Sequence, residues 1–200
     1  MKKIKIALVF ILIISVLGCV STRTVERTAA DEEIDLSGRW NDTDSRMVAV
    51  EMVDDCLSRS WISDYTAENG KKPVLIVGTV RSKSSEHIET TAFIKDIERE
   101  LINSGKVKFV ASSKERQEIR EEREDQQSSA TEETAKRLAA ETGADFIMQG
   151  IITTQVDAIE GKKVVYYQVD MELIHLETNE KVWMGSKKIK KVVEQADASW

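Results

Sequence analysis

Cys19 is the residue whose surroundings most clearly indicate a chemical reaction of its side chain. Lysines at positions 2, 3 and 5 precede an apolar run from Ile6 to Leu17, and the small Gly18 stands directly before the cysteine. Basic residues followed by roughly a dozen apolar ones and a small residue are typical of a cleaved secretory signal. The pattern predicts that residues 1–18 are a lipoprotein signal peptide and that the Cys19 thiol is lipidated.

An uncleaved membrane anchor is the alternative for this segment, but the apolar run is shorter than the roughly 20 residues that span a bilayer. Several acyl chains on Cys19 would hold the mature chain firmly in a membrane leaflet. Val20, rather than an aspartate, follows the cysteine, and in lipoproteins of enteric-type bacteria that implies export to the outer membrane. We therefore expect a lipid-anchored protein of the outer membrane that faces the periplasm.

Other residues suited to catalysis or metal binding are scarce. His87 lies in a polar stretch and His175 near the end of an apolar one, and neither has a second histidine or cysteine at metal-ligand spacing. Ser84 and Ser85 precede Glu86 and His87, but neighbours in sequence rarely point at each other as a catalytic triad requires. The sequence predicts no catalytic residue, no metal, no cofactor and no small-molecule substrate.

The net charge and the cysteine content limit which partners and which disulfides the protein can have. The 200 residues carry a formal net charge of −6, and removal of the signal peptide lysines would make the mature chain more acidic. That balance argues against a nucleic-acid partner. The chain has two cysteines, Cys19 and Cys56. Because Cys19 is expected to be lipidated, Cys56 has no partner for an internal disulfide. We interpret Cys56 as a small, buried apolar residue.

Composition divides the chain into four parts. Behind the signal peptide, residues 19–36 combine the lipidated cysteine with a polar stretch that lacks hydrophobic periodicity, and we interpret it as a disordered tether. Residues 37–193 are long enough for one globular domain. Residues 194–200 form a C-terminal tail.

Hydrophobic periodicity and helix-capping residues predict alternating helices and strands in the first part of the domain. The expected elements are a helix over about 44–65, a strand over 73–80, a helix over 90–103, a strand over 107–111, a solvated helix over 114–125 and a further helical piece over 131–142.

The last part of the domain reads as a three-strand antiparallel meander over about 144–158, 163–176 and 181–192. Together the elements predict an α+β fold, an α/β two-layer sandwich with a mixed sheet. Two strand-helix-strand crossovers precede the meander, and the helices lie mainly on one face.

The middle meander strand alternates apolar and polar residues, so one of its faces belongs to the core and the other to solvent. Its outward residues are Tyr166, Gln168, Asp170 and Glu172. A mixture of aromatic and polar groups is suited to a transient protein interface. We name these four as candidate partner contacts, with ordinary solvent exposure as the alternative.

Four lysines lie close together near the end of the last predicted strand, at positions 187, 188, 190 and 191. They could bind anionic headgroups or an anionic polymer. Alternatively, lysines on an edge strand prevent its pairing with another chain, and we favour that interpretation.

A series of short motifs in a fixed order resembles the LpoB family of lipoproteins, which activate penicillin-binding proteins. The similarity runs from about Leu36 to Val193. The motifs are Asn41 to Arg46, Lys72 to Val80, Phe93 to Leu101, Leu101 to Val107, Gly143 to Asp145 with Gln149 and Gly150, and Leu176 to Trp183.

The resemblance implies a regulator and not an enzyme. It implies an outer-membrane lipoprotein that binds a bifunctional, class A penicillin-binding protein and stimulates its synthesis of peptidoglycan. The alternative is a structural or secretion-related envelope lipoprotein of similar fold, such as the curli-export or Tol-system proteins, because a shared fold does not fix function.

Overall fold

The computed structural model describes residues 24–111, 113–128 and 143–194. Cys19, with the signal peptide, and the predicted helical piece over 131–142 lie outside the described residues. Within the first 32 residues, the described part contains a turn in which the Glu32 amide donates to the carbonyl of Ala29 at 3.2 Å. A second unit, Glu33–Trp200, contains the helices and the sheet.

Helix α1 spans Asp42–Ser58 and is started by a capping box. The Asn41 side chain accepts from the Asp44 amide at 3.0 Å, and the Asp44 carboxylate accepts from the Asn41 amide at 3.0 Å. This reciprocal pair satisfies amides that the first helical turn leaves without partners.

The expectation of one helix over about 44–65 is wrong, because a break separates α1 from α2, Trp61–Asn69. Arg59 between them is extended, with φ −84° and ψ 160°. The Trp61 indole donates to the Cys56 carbonyl at 2.7 Å, so it satisfies a carbonyl at the end of α1. Burial of the large Trp61 ring outweighs the continuous helical pattern that the sequence shows.

The remaining elements follow the predicted order, with shifted ends. Only two residues of the expected strand over 107–111 pair with a neighbour in the sheet. The bounds are β1, Val74–Lys83; α3, Thr90–Asn103; β2, Lys108–Phe109; α4, Ser113–Ser128; β3, Phe146–Ile159; β4, Lys162–His175; and β5, Lys181–Glu194.

The five strands form one mixed sheet in the order β2-β1-β3-β4-β5. Strand β1 is parallel to both β2 and β3, whereas β3, β4 and β5 are antiparallel neighbours. The predicted α+β fold with parallel strands early and an antiparallel meander late is therefore confirmed.

Helices α1, α2 and α3 contribute to one core with the inward side chains of the sheet. Tyr167 and Phe93 are fully buried there, and the Trp40 ring meets both, with centroids 5.6 and 6.0 Å away. We call the opposite side of the sheet the open face. It consists of the outward side chains of β3, β4 and β5 and of the end of β1.

Residues 35–41, which we call the N-terminal strap, are bound to the sheet before α1 begins. The Lys191 amine of β5 lies 2.6 Å from the Asp35 carboxylate and 2.7 Å from that of Asp44. The Tyr167 hydroxyl donates to the Gly38 carbonyl at 3.2 Å and to Glu86 at 2.6 Å. The contacts of Lys191 and Tyr167 join the start of the domain to its last two strands, β5 and β4.

Candidate functional site

The open face is a set of cross-strand rows fixed by the sheet register. Side chains directly opposite each other on neighbouring strands lie close enough to interact. Three such rows include candidate contact residues of β4. The first row is Gln149, Glu172 and Met184. The second is Lys83, Thr153, Gln168 and Lys188, and the third is Gln155, Tyr166 and Lys190.

The four candidate contact residues, Tyr166, Gln168, Asp170 and Glu172, lie one after another along β4 at the centre of the open face, and we call them the β4 row. Each is half-buried, whereas the residues that alternate with them are buried in the core. The Tyr166 hydroxyl donates to Gln168 Oε1 at 3.3 Å, and Gln168 Nε2 donates to both carboxylate oxygens of Asp170 at 2.8 and 3.0 Å. These bonds orient three of the four side chains and leave them partly accessible.

Glu172 is held from both sides. Gln149 Nε2 donates to it at 2.8 Å, and the Lys181 amine lies 2.5 Å from its second oxygen. The hydrogen bonds from Lys181 and Gln149 hold the pKa of the Glu172 carboxyl below its usual range, with the charges of Lys181 and Arg81 contributing. The Glu172 carboxylate is therefore ionised at neutral pH, and the positive charge of Lys181 partly neutralises it.

This environment predicts a pH dependence of stability. Because the folded-state pKa of Glu172 is lowered, its contribution to stability is present above the ordinary glutamate pKa of about 4.3 and is lost as the pH falls through the folded value. Urea unfolding of wild type and Glu172→Gln between neutral and acidic pH measures this. The free energy of unfolding should fall more steeply in wild type.

The matched control is Glu68→Gln, since Glu68 is exposed and has no ion pair within the described part of the chain. It should keep the wild-type pH dependence. An unchanged dependence in Glu172→Gln would contradict the stabilising role of its two contacts.

Two shallow depressions mark the open face. The smaller, of about 160 Å³, lies between Arg81, Gln149, Asp170 and Met184. The larger, of about 700 Å³, is lined by Tyr166 and Gln168 together with Lys190 and Val192. The Met184 side chain beside the smaller one is 67% exposed. A flexible methionine at a surface adapts to varied partners.

The polar sequence Ser84 to His87 does not form a catalytic group. Glu86 accepts from the Tyr167 hydroxyl at 2.6 Å and from the Trp40 amide at 3.0 Å, so it serves the N-terminal strap. The Ser84 hydroxyl accepts from Thr154 at 2.9 Å. His87 is exposed.

His175 and Cys56, the other residues considered from the sequence, take part in the packing of the fold. His175 packs edge-on against Phe146, with ring centroids 4.9 Å apart. Cys56 is fully buried, as expected, and burial raises the pKa of its thiol to about 12.

Among the described residues no group of three or more histidine, cysteine or carboxylate side chains is arranged to hold a metal ion. Within the same residues, no helix is long and apolar enough to cross a membrane.

Sequence reasoning missed the neighbours that complete the open face. Gln149, Arg81 and Met184 adjoin the β4 row because β1, β3 and β5 place them there. Alternation within each strand assigns a residue to a face, but the strand order and the register decide which outward residues meet. A register prediction for the meander could have identified Gln149 and Met184.

A protein-family model described as the peptidoglycan-synthase activator LpoB matches residues 44–189. The match extends from the start of α1 into β5 and includes all four candidate contact residues. The chain belongs to the LpoB family. The family's description is that of an activator of a synthase and not of an enzyme, which confirms the expectation of a regulator.

Solved structures of the family are similar to this chain at low sequence identity. The LpoB C-terminal domain from Salmonella enterica is 19% identical, with 76% of this chain and 99% of that chain covered and a TM-score of 0.42. The corresponding Escherichia coli domain is 16% identical, with 74% and 99% covered and a TM-score of 0.47.

The lipoprotein GNA1162 from Neisseria meningitidis is 12% identical, with 63% of this chain and 88% of that chain covered and a TM-score of 0.38. No curated protein matches the chain. Membership of the LpoB family therefore rests on the family model.

Proposed function

We propose that this chain is an outer-membrane lipoprotein that binds a class A penicillin-binding protein and activates its synthesis of peptidoglycan. The observation that supports this most strongly is the family match over residues 44–189. Cys19 is the proposed lipidation site and the link to the membrane, with residues 1–18 removed. Of the expected tether, residues 20–34 precede the N-terminal strap and connect it to the lipidated cysteine.

We place the partner contact on the open face, at Tyr166, Gln168, Asp170 and Glu172. Three features support this choice. The side chains are accessible but oriented by hydrogen bonds, so little conformational entropy is lost when a partner binds. An aromatic residue lies among polar ones, as in many transient interfaces. Finally, α1 to α3 contribute to the core with the other face of the sheet, so these three of the described helices do not cover the open face.

Activation requires more than contact. A ligand shifts a conformational equilibrium only by its difference in affinity for the two states. In the proposed mechanism the open face binds the active conformation of the synthase more tightly than the inactive one. A rigid sheet surface suits this role, since its contact groups are ordered before the partner arrives.

The variant Tyr166→Ala/Glu172→Lys tests the proposed contact. It removes the aromatic ring and reverses the charge at the opposite end of the β4 row. If both lie near the centre of the interface, the Kd for the class A synthase should rise at least about 30-fold, which is about 2 kcal/mol. Surface plasmon resonance with the purified synthase measures this.

The control is Glu68→Lys, which makes the same charge change on an exposed position of α2. It should bind as wild type does, and circular dichroism should show that both variants are folded. Wild-type affinity of a folded Tyr166→Ala/Glu172→Lys variant would exclude the open face as the docking site.

A further inference from the structure

Of the five lysines of β5, Lys181 is paired with Glu172, and the other four divide into two pairs with different surroundings. Lys187 forms an ion pair with Glu51 of α1, and Lys191 bridges the two carboxylates at the N-terminal strap. Lys188 and Lys190 lie on the open face, are exposed, and have no ion pair with any residue that the structure describes. Within the described part of the chain, the pair on the open face is therefore the part of this group that has no ion-pair partner.

A third lysine completes a patch on the same face. Lys83 at the end of β1 lies in the row of Thr153, Gln168 and Lys188, so it is separated from Lys188 by the width of β3 and β4. It too is exposed and has no ion pair among the described residues. We call Lys83, Lys188 and Lys190 the lysine patch.

The carboxylates on the open face neutralise the patch only in part. Glu172 is paired with Lys181, whereas Asp170 keeps its charge, because the Gln168 amide that donates to it is neutral. Asp157 is exposed and lines the larger depression together with Lys190. Among the described residues, the lysine patch and Arg81 outnumber these two carboxylates, so this face is locally cationic on a chain whose formal net charge is −6.

Its dimensions indicate the kind of ligand. Three strand spacings place the backbones at Lys83 and Lys188 about 14 Å apart, so the patch extends across the width of the open face. Between these two lysines lie the side chains of Thr153 and Gln168, and Tyr166 follows in the next row, opposite Lys190. Their hydroxyl and amide groups form directional hydrogen bonds. A broad surface with several separated carboxylates and hydrogen-bonding groups fits this arrangement better than a single anionic headgroup does.

We infer that the lysine patch makes this part of the open face a docking site for an acidic protein surface. The inference rests on the proposed function, since it specifies the chemistry of the partner surface that the open face would meet. Charges at the rim of an interface mainly accelerate association and orient the partner. The lysine patch accordingly steers the acidic part of a partner onto the Tyr166 and Gln168 end of the β4 row, away from Glu172 at the other end.

Nuclear magnetic resonance titration of the chain from residue 20 onward with a poly-L-glutamate peptide tests the chemistry without any synthase. Amide shifts should concentrate around Tyr166 and the lysine patch at about 50 mM salt and largely disappear at about 300 mM, because salt screens exposed charges. Lys188→Glu/Lys190→Glu should weaken binding at least tenfold.

The matched control, Lys106→Glu/Lys108→Glu, makes the same change in net charge at exposed positions in and beside β2, on the opposite edge of the sheet. It should bind the peptide as wild type does. Absence of binding, or equal weakening by both variants, would overturn the inference. Tighter binding of phosphatidylglycerol vesicles than of the peptide by the same lysines would also overturn it, in favour of a lipid surface.

The same variants separate this inference from the proposed function. If the peptide binds the lysine patch while no class A synthase binds the chain, the proposed function fails and the cationic docking site stands. If the synthase binds and is activated with the same association rate for wild type and Lys188→Glu/Lys190→Glu, the proposed function stands and the inference fails.

Discussion

Replacement of Lys191 by methionine should lower the free energy of unfolding by about 3–5 kcal/mol, because it leaves a carboxylate in the protein interior without its cation. The Asp44 side chain is 3% exposed and its Oδ2 lies 2.7 Å from the Lys191 amine. Burial opposes the charge on Lys191, but the hydrogen bonds and charges of Asp35 and Asp44 outweigh it and raise the lysine's pKa. Urea unfolding monitored by circular dichroism measures the loss.

Lys188→Met is the matched control, since it makes the same chemical change on the same strand at an exposed side chain. Its effect should stay within about 0.5 kcal/mol. Asp44→Asn in the Lys191→Met background should recover part of the stability, because the amide oxygen can still accept from the Asn41 amide without a buried charge. A loss below about 1 kcal/mol in Lys191→Met would contradict the account of the strap.

Phe146→Ala is expected to destabilise the fold by about 3–5 kcal/mol through loss of buried area and creation of a cavity. Phe146 is 2% exposed at the start of β3. Its ring centroid lies 5.1 Å from that of Trp61, 5.2 Å from that of Tyr65 and 4.9 Å from that of His175. This aromatic cluster joins α2 to the sheet, so thermal and urea unfolding should both report the loss.

Leu176→Ala provides the comparison for the same end of the sheet. Leu176 is 45% exposed, and its truncation should cost less than about 1 kcal/mol. Similar losses in the two variants would show that the aromatic cluster contributes less than its burial implies.

Local sequence patterns predicted much of this fold. Alternation along β4 assigned Tyr167 to the core and Tyr166 to the open face, because side chains on a strand alternate between faces. Helix α3 was predicted over its observed range, since Phe93, Ile97 and Leu101 recur at helical spacing and are all buried.

Features that depend on contacts between residues far apart in the sequence could not be predicted from local patterns. The break between α1 and α2 depends on burial of Trp61 against Phe146, which lies far away in the sequence. The sorting of the β5 lysines likewise requires knowledge that α1 covers one side of that strand, where Lys187 finds Glu51. A run of lysines shows charge, but only the packed structure shows which of those charges are neutralised.

The proposed function depends on activation of a peptidoglycan synthase by this chain. The most direct test is the rate of glycan polymerisation by a purified class A penicillin-binding protein from the same organism, with and without the chain from residue 20 onward. We expect a faster rate with wild type. At a concentration that just saturates the synthase with wild type, stimulation by the folded Tyr166→Ala/Glu172→Lys variant should be much weaker, because its Kd is at least about 30-fold higher. An unchanged rate with saturating wild-type chain would contradict the proposed activation.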